Sequence, residues 1–396
     1  MATISSSGIT NKLLYPPMDP ILACVQAKQE ELIAFLRQMV EVETPSGDEA
    51  AIVRFADLLE AKTSDIAKMR RVQARGFGPQ LLLEFDLPGA RKSGQILGLA
   101  HSDTVHPMGT LAKFPFAARS GRLYGPGVLD IKGGIALFIY AVRALRELDI
   151  PVAKNVVLQI VSDEEIGSDA SRALTEKMAH QSDCVLVVEP GSGLSGNLKT
   201  ARKGTGDYSV KVHGIASYAG VDFSAGASAI VEVAKQIEVI AGFTELTRGI
   251  TVNPGVVRGG TRTNVVADYA QVDVDIRIAK LKDFTVLDRR FRKLKAFDKR
   301  CRIEVEGGLN RPPMERTREI AKLFEKAKQL AWELGIVLEE SSTGGGSDGN
   351  FTAALGVPTL DGLGCVGEGA HTLHECLLIE RIPDRAALLA KLISTL

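Results

Sequence analysis

The chain has 396 residues, with 48 Lys and Arg against 48 Asp and Glu, 45% hydrophobic and 24% charged. That length is too great for one small core and suits roughly two or three domains, and the hydrophobic content excludes a mainly disordered state. The balanced charge gives no electrostatic reason to expect a nucleic-acid or anionic-membrane partner, and a single Trp argues against a base-stacking surface.

Residues 1–19 are rich in Ser, Gly and Pro and read as loose, without the apolar run behind a basic start that marks a secretory signal. No apolar stretch approaches the roughly 20 residues that span a bilayer. The expectation is a soluble, cytoplasmic protein whose five scattered cysteines, without a CxxC, are reduced buried thiols. Apolar residues at helical spacing (Leu32, Phe35, Leu36, Met39, Val40) predict one helix over Ile21–Val42. Thr44–Glu49 breaks it and caps a helix over Ala50–Ala61. Gln80–Phe85 and Gln95–Ala100 read as strands, and Gly133–Leu148 as a helix with Ile135, Phe138, Val142 and Leu145 on one face. Strands at Val156–Val161 and Cys184–Glu189 flank a helix over Ala170–Ala179. Strands alternating with helices imply an α/β domain with a mainly parallel sheet.

The pattern changes near residue 203. Lys203–Gly206 reads as a linker, followed by a strand (Asp207–His213), a helix (Ala225–Ile240), strands near Thr251–Arg258 and Ala270–Ile278, a helix (Leu281–Leu294) and a strand (Arg302–Val305). That βαββαβ order is the split-βαβ arrangement of ferredoxin-like α+β domains. Gly307–Pro313 leads back to a helix (Glu315–Leu334), a strand, the glycine run Thr343–Asp348 and a closing helix from Pro383. The expected division is a catalytic domain from 1–202 and 313–396, interrupted by an inserted lid over 203–312.

Five places carry chemistry. Glu164 and Glu165 follow one apolar run, His101-Ser102-Asp103 another, and Glu189 ends a third. Asp130 sits in YGPGVLDIKGG and His371 in GEGAHTLHE. Four of the five stand where a strand should give way to a loop, the carboxyl edge at which open parallel sheets build their sites. Imidazole and carboxylate suit zinc, and two zincs roughly 3.5–4 Å apart need a bridging ligand that a carboxylate supplies. His101, Asp130, Glu165, Glu189 and His371 give each of two ions three ligands if Asp130 is shared. Glu164 is left over as a general base, and Asp103 can accept the second N–H of His101. Taken singly, each feature has an ordinary structural explanation: a polar loop, a helix start, a strand cap. His106 and His374 read as surface polarity near the site, His180 and His213 as solvent-facing.

The ordered set AHSDTV, YGPGVLDIKGG, SDEEIGS, VVEPG, GGTRTNVV, TGGGSD and GAHTLHE resembles the co-catalytic zinc peptidase and amidohydrolase family. That family includes glutamate carboxypeptidases, aminoacylases, and acetylornithine and succinyl-diaminopimelate deacylases. The resemblance runs from about residue 30 to the C-terminus. It implies two zinc ions per chain, with cobalt or manganese also acceptable to such donors. One would be held by Asp130, Glu165 and His371, the other by His101, Asp130 and Glu189. It also implies Glu164 as base and a lid that often forms a homodimer. The carboxypeptidase branch is the nearest in pattern. It would place Asn264 near the oxyanion and Arg277 and Arg311 near substrate carboxylates, a role that guanidinium geometry suits independently. Arg277 reads equally as an outward strand residue in an ion pair. Lys199 is a further substrate candidate. Gly345, in its glycine run, could let backbone approach substrate through a tight or positive-φ turn.

One position departs from that pattern: Tyr218, in SYAG, stands where the family has the histidine of SHAG. Tyrosine donates through its hydroxyl but carries no positive charge near neutral pH. The expected activity is hydrolysis of an amide or peptide bond to a carboxylate-bearing amino acid, in a dipeptide or a conjugate of glutamate type. The alternatives are a deacylase of an N-acyl metabolite and a non-catalytic ligand-binding relative.

Overall fold

The computed structural model describes residues 18–396. The segment read as loose lies outside that range up to residue 17. Asp19 belongs to the fold: its carboxylate accepts the Ile21 and Leu22 amides, capping α1 (Pro20–Ala27), and pairs with Lys391 at 2.8 Å. The single helix expected over 21–42 is two, α1 and α2 (Gln29–Glu41), because Lys28 leaves helical geometry at φ −104°, ψ 9°. Both pieces face the same core, so the apolar period runs through the break unmarked. Asp48 caps α3 (Glu49–Thr63) by accepting the Ala51 amide.

β1 (Ala67–Ala74) and β2 (Gly78–Phe85) form an antiparallel hairpin. β1 is missing from the sequence reading because AKMRRVQA is charged, as exposed edge strands are. Next come β3 (Gln95–His101), the short β4 (Ala117–Arg119) and β5 (Arg122–Tyr124), α4 (Gly133–Glu147), β6 (Asn155–Val161), α5 (Arg172–His180), β7 (Cys184–Val187) and β8 (Leu198–Arg202). The middle of the chain holds β9 (Gly204–His213), β10 (Ser217–Tyr218), α6 (Ala229–Ala241), β11 (Thr251–Gly259), β12 (Val265–Val266), β13 (Tyr269–Ile278), α7 (Leu281–Arg292) and β14 (Arg302–Arg311). The chain ends with α8 (Arg318–Glu333), β15 (Glu340–Thr343), α9 (Gly349–Ala354), β16 (Thr359–Leu360), β17 (Gly367–Glu368), β18 (Cys376–Leu378) and α10 (Ile382–Thr395).

The main sheet has the order β1-β2-β6-β3-β7-β16. Its last four strands are mutually parallel, and the β1–β2 hairpin adds an antiparallel edge. Leu97 and Leu99 of β3 point to the α5 side, while Ile96 and Ala100 point to the α4 side, so β3 is buried on both faces. α4 is apolar almost all round because it lies between this sheet and α1, α2 and α10. It approaches closely at Gly98, where a Cβ would collide with the Phe138 ring.

The inserted segment forms a second, antiparallel sheet, β11-β13-β9-β14, with α6 and α7 on one face. Its own core includes Tyr208 stacked on Phe291 at 3.9 Å between ring centroids. Here two expectations are corrected. Gly204–Gly206 is not a linker but the start of β9, paired with Ile278–Ile276 of β13. The strand expected to stop at Val305 continues to Arg311. Glycine marks the crowding of two strands rather than a flexible join: a Cβ on Gly206 would run into the Gly308 carbonyl of β14. No described helix is long and apolar enough to cross a membrane. All five cysteines are free, four of them buried and Cys24 partly so.

Gly206→Ala is therefore expected to destabilise the protein by about 1–3 kcal/mol through strand displacement, read as a lower urea midpoint. An unchanged midpoint would mean that β9 and β14 do not close at this point.

Candidate active site

His101 is the last residue of β3 and is buried. Its Nδ1 lies 2.8 Å from the backbone carbonyl of Asp103, which fixes the ring and leaves Nε2 toward Asp130 Oδ1 (3.2 Å) and Glu189 Oε1 (3.6 Å). The Asp103 carboxylate, expected to take this N–H, shares Nδ1 with its own backbone carbonyl. It stands 3.5 Å from Nδ1 and also accepts Ser46 Oγ–H (2.7 Å) and the amides of Glu164 and Glu165 (both 3.2 Å). Asp103 thus holds the glutamate pair in place after β6. Glu189 lies two residues beyond the end of β7, a strand shorter than expected.

Asp130 follows β5 and precedes α4, and His371 lies in the turn between β17 and β18. These two loops leave the small antiparallel sheet β4-β5-β18-β17, not the main sheet. His371 sits at φ 65°, left-handed backbone that costs a non-glycine residue about 1 kcal/mol or more. Its Nε2 lies 3.3 Å from Asp130 Oδ2 and 3.2 Å from Glu165 Oε2. Each oxygen of Asp130 therefore faces a different imidazole, and each imidazole faces one further carboxylate.

This donor set fits divalent cations. Donor atoms about 2.1 Å from a tetrahedral ion stand roughly 3.4 Å apart, and the four nitrogen–oxygen distances above span 3.2 to 3.6 Å. Ligand atoms of His101, Asp130 and Glu165 lie within 4.8 Å of one another. Glu165 Oε1 is buried without a hydrogen-bond donor, a cost that a cation would remove. Burial works to raise the Asp130 pKa, but the hydrogen bonds of His101 and His371 hold it well below the carboxylate range. Hydrogen bonds to Asp130 and Glu165 raise His371 to about 10. Burial opposes charge on His101, yet Asp103 and Asp130 raise it well above its ordinary value. Burial, followed by the Asp130 charge, pushes Glu189 up to about 7. The cluster draws protons onto both imidazoles, and binding a cation would displace them.

The cluster opens into a cavity of about 540 Å³, lined also by residues of the inserted sheet and the glycine run. A larger groove of about 1040 Å³ between α8 and α10 is lined by no histidine or cysteine, so chemistry rather than size favours the smaller space. Glu164 faces the cavity, and burial raises its carboxyl well above the ordinary value, against the pull of Arg311 and His101. Arg311 Nη2 donates to Glu164 Oε1 (3.0 Å), Glu164 O (2.8 Å), Ser168 Oγ (2.7 Å) and Asp348 Oδ1 (3.2 Å). Arg277 lines the cavity while paired with Asp275 at 2.8 Å, so both readings of that residue describe it. Lys199, on β8, lies outside the cavity lining; burial, then the Arg202 charge, lowers its pKa.

Gly345 does line the cavity, but none of Gly344, Gly345 and Gly346 has a left-handed φ, which corrects the expected positive-φ turn. The tight position is Gly346, where a Cβ would meet Arg311 Cδ at 3.1 Å and Thr205 Cγ2 at 3.2 Å. Asn264 and Tyr218 are not brought to the cluster in this chain. Both are exposed, Tyr218 by 54%, at the two-stranded ribbon of β10 and β12, where the Ala219 amide donates to the Asn264 carbonyl.

Three groups escaped the sequence reading. Glu375 is fully buried and accepts the amides of Gly127 (3.0 Å), Leu129 (2.8 Å) and Asp130 (3.0 Å). His106, expected at the surface, is buried with Nε2 3.0 Å from Glu375 Oε2. His374 and His180 are exposed as expected, whereas His213 is half-buried against Tyr269. Arg202 and Asp361 form a buried two-pronged ion pair, 2.7 Å on each arm, and Arg202 Nη1 also donates to the Gly345 and Gly346 carbonyls. The one sequence signal for Glu375 is its place four residues after His371.

The family model described as Peptidase family M20/M25/M40 matches residues 98–395. A carboxypeptidase G2 from Pseudomonas sp. (strain RS-16) is 28% identical over 409 residues, covering 100% of this chain and 96% of that protein. A succinyl-diaminopimelate desuccinylase from Dechloromonas aromatica (strain RCB) is 28% identical over 315 residues, covering 75% of this chain and 82% of that protein. The crystal structure of aminopeptidase PepT from Bacillus cereus superposes with a TM-score of 0.77 at 24% identity, covering 92% of this chain and 98% of that one. At that identity the likeness concerns the fold.

Glu375→Gln keeps the shape but replaces one acceptor oxygen by a donor facing amides. We expect affinity for zinc to fall roughly 10–100-fold, as for groups that support ligands, measured by chelator competition on folded protein. Unchanged affinity would remove Glu375 from the positioning of Asp130.

Proposed function

Because the chain belongs to peptidase family M20/M25/M40, we propose that it is a metal-dependent hydrolase of an amide or peptide bond to a carboxylate-bearing amino acid. The observation that carries this reading is the Asp130 carboxylate, each oxygen facing its own imidazole–carboxylate pair at the mouth of a cavity that also holds Arg277 and Arg311. In this reading two zinc ions bind per chain, one at His101, Asp130 and Glu189, the other at Asp130, Glu165 and His371. Nitrogen and oxygen donors of this kind also accept cobalt or manganese. Bound there, such ions supply the charge that polarises an amide carbonyl and makes water a nucleophile near neutral pH.

The remaining work falls to side chains. Glu164 is the acid of the cluster that no imidazole engages; it takes the proton of the attacking water and returns it to the leaving amine. A raised pKa suits a group that must both gain and give a proton, and its ion pair with Arg311 fixes its direction. Arg277 receives the carboxylate of the amino acid to be released, exchanging part of its pairing with Asp275. Movement of the inserted unit over 203–312 toward the cluster, as a lid, would exclude water.

Tyr218 and Asn264 reach a reacting carbonyl only from a second copy or after such a movement. A homodimer through the inserted unit is supported by its exposed apolar residues, Val231 on α6 (55%) and Val257 on the edge strand β11 (58%). Within it Tyr218 would give a hydrogen bond without charge to the oxyanion. Release of a short acyl group rather than a free C-terminal amino acid would favour the deacylase alternative, the activity named for the Dechloromonas relative. The intact acid and imidazole set speaks against a binding protein that has lost turnover.

Glu164→Gln is expected to keep both metals and lose roughly 10²–10⁴ in kcat on dipeptides and N-acyl amino acids. Retained turnover with full metal content would refute its role. Sedimentation should give about twice the 42.4 kDa chain mass, and a monomer that turns over normally would rule out trans action by Tyr218.

A further inference from the structure

The antiparallel register of β9 and β13 sets Thr205 opposite Arg277 and, two pairs farther along on the same face, Asp207 opposite Asp275. Like charges directly opposite across a ladder destabilise the pairing. Here the repulsion is answered on one side only. Arg277 donates Nε to Asp275 at 3.0 Å and Nη2 at 2.8 Å, whereas among the described residues no group donates to the Asp207 carboxylate and no cation pairs with it. On its other flank, β14 presents Gly308 opposite Asp207, so no side chain covers the acid from that strand. Partial desolvation at the strand surface pushes the Asp207 carboxyl up from its ordinary value and Asp275 adds to the effect, with Arg277 opposing. All of these residues except Gly308 line the cavity that holds the acid–imidazole cluster.

We infer that Asp207 determines specificity by receiving a cationic side chain of the amino acid whose amide bond is cleaved, which makes the substrate class a peptidyl or N-acyl conjugate of a lysine- or arginine-like amino acid. This rests on the hydrolase reading and deepens it. With the reacting carbonyl at the Asp130 end and the released carboxylate at Arg277, the side chain runs on along β9. Asp207 is two residues from Thr205, roughly 7 Å at about 3.3 Å per residue, a span that an extended lysine or arginine covers. Its carboxylate gains a counter-charge when the cavity closes and water leaves, which strengthens the pair. A glutamate side chain in the same place would set a third carboxylate against Asp207 and Asp275, so the glutamate-type substrate suggested by sequence pattern is the disfavoured one.

The test measures kcat/KM of the zinc-loaded full chain on N-benzoyl-lysine, N-benzoyl-leucine and N-benzoyl-glutamate, for the unaltered protein and for Asp207→Asn and Asp207→Lys. The unaltered protein should favour lysine over leucine and leucine over glutamate. Asp207→Asn should lower the lysine-to-leucine ratio roughly tenfold, chiefly through KM, and Asp207→Lys should invert the lysine-to-glutamate order. Asp207 lies outside both cores with its side chain partly open to solvent, so the variants should fold, as circular dichroism would verify. A glutamate preference in the unaltered protein, or ratios insensitive to residue 207, would overturn the inference while leaving the hydrolase reading standing. No turnover of any member, with both metals bound, would remove the hydrolase reading and this inference with it.

Discussion

One carboxylate placed between two imidazoles governs the rest of this molecule. Asp130 cannot face His101 and His371 together unless three separate parts of the chain arrive at one point: the end of a buried parallel strand, the loop before α4, and a turn from a second small sheet. An acid-rich cluster in a partly desolvated place is unstable by itself. The raised pKa of His371 and the lowered one of Asp130 show how strongly it draws positive charge. A cation fits that demand better than protons do, because it satisfies several oxygens at once.

Support for this arrangement is also electrostatic, but it is buried and paired. Glu375 gathers three backbone amides beneath Asp130, and Asp103 gathers two beneath the glutamate pair. Arg202 and Asp361 hold the glycine run that walls the cavity. A buried charge is tolerated only when its hydrogen bonds are met, so each of these acids ties a loop in place. The acid–imidazole cluster thus rests on the edges of the main sheet and the small antiparallel sheet, while Thr205, Asp207, Asp275 and Arg277, across the cavity, belong to the inserted sheet. Chemistry and selectivity can vary separately on such a frame.

Much of the fold was legible because its signals are local. The parallel strands are continuous apolar runs, and the amphipathic helices α3 and α7 keep their period almost to the observed ends. Misreadings fell where a local signal has two causes. Glycines at 204–206 look like a flexible join and are instead the place where two strands crowd. A charged edge strand, β1, resembles a loop. The break at Lys28 leaves no mark because both helices present apolar residues to the same core.

Residue type, strand-end position and the ordered motifs together pointed to His101, Asp130, Glu165, Glu189 and His371, which the fold brings into one cluster, although Asp130 and His371 arrive from the small sheet rather than the carboxyl edge of the main one. Distances, partners and burial were not available in that way. That Asp103 also holds the glutamate pair, that Glu375 organises the Asp130 loop from 245 residues away, and that Tyr218 stands apart from the cluster all depend on contacts between segments remote in the chain. Sequence records which groups are present and their local conformation; only folding decides which of them become neighbours, and electrostatic effects depend on distance and burial.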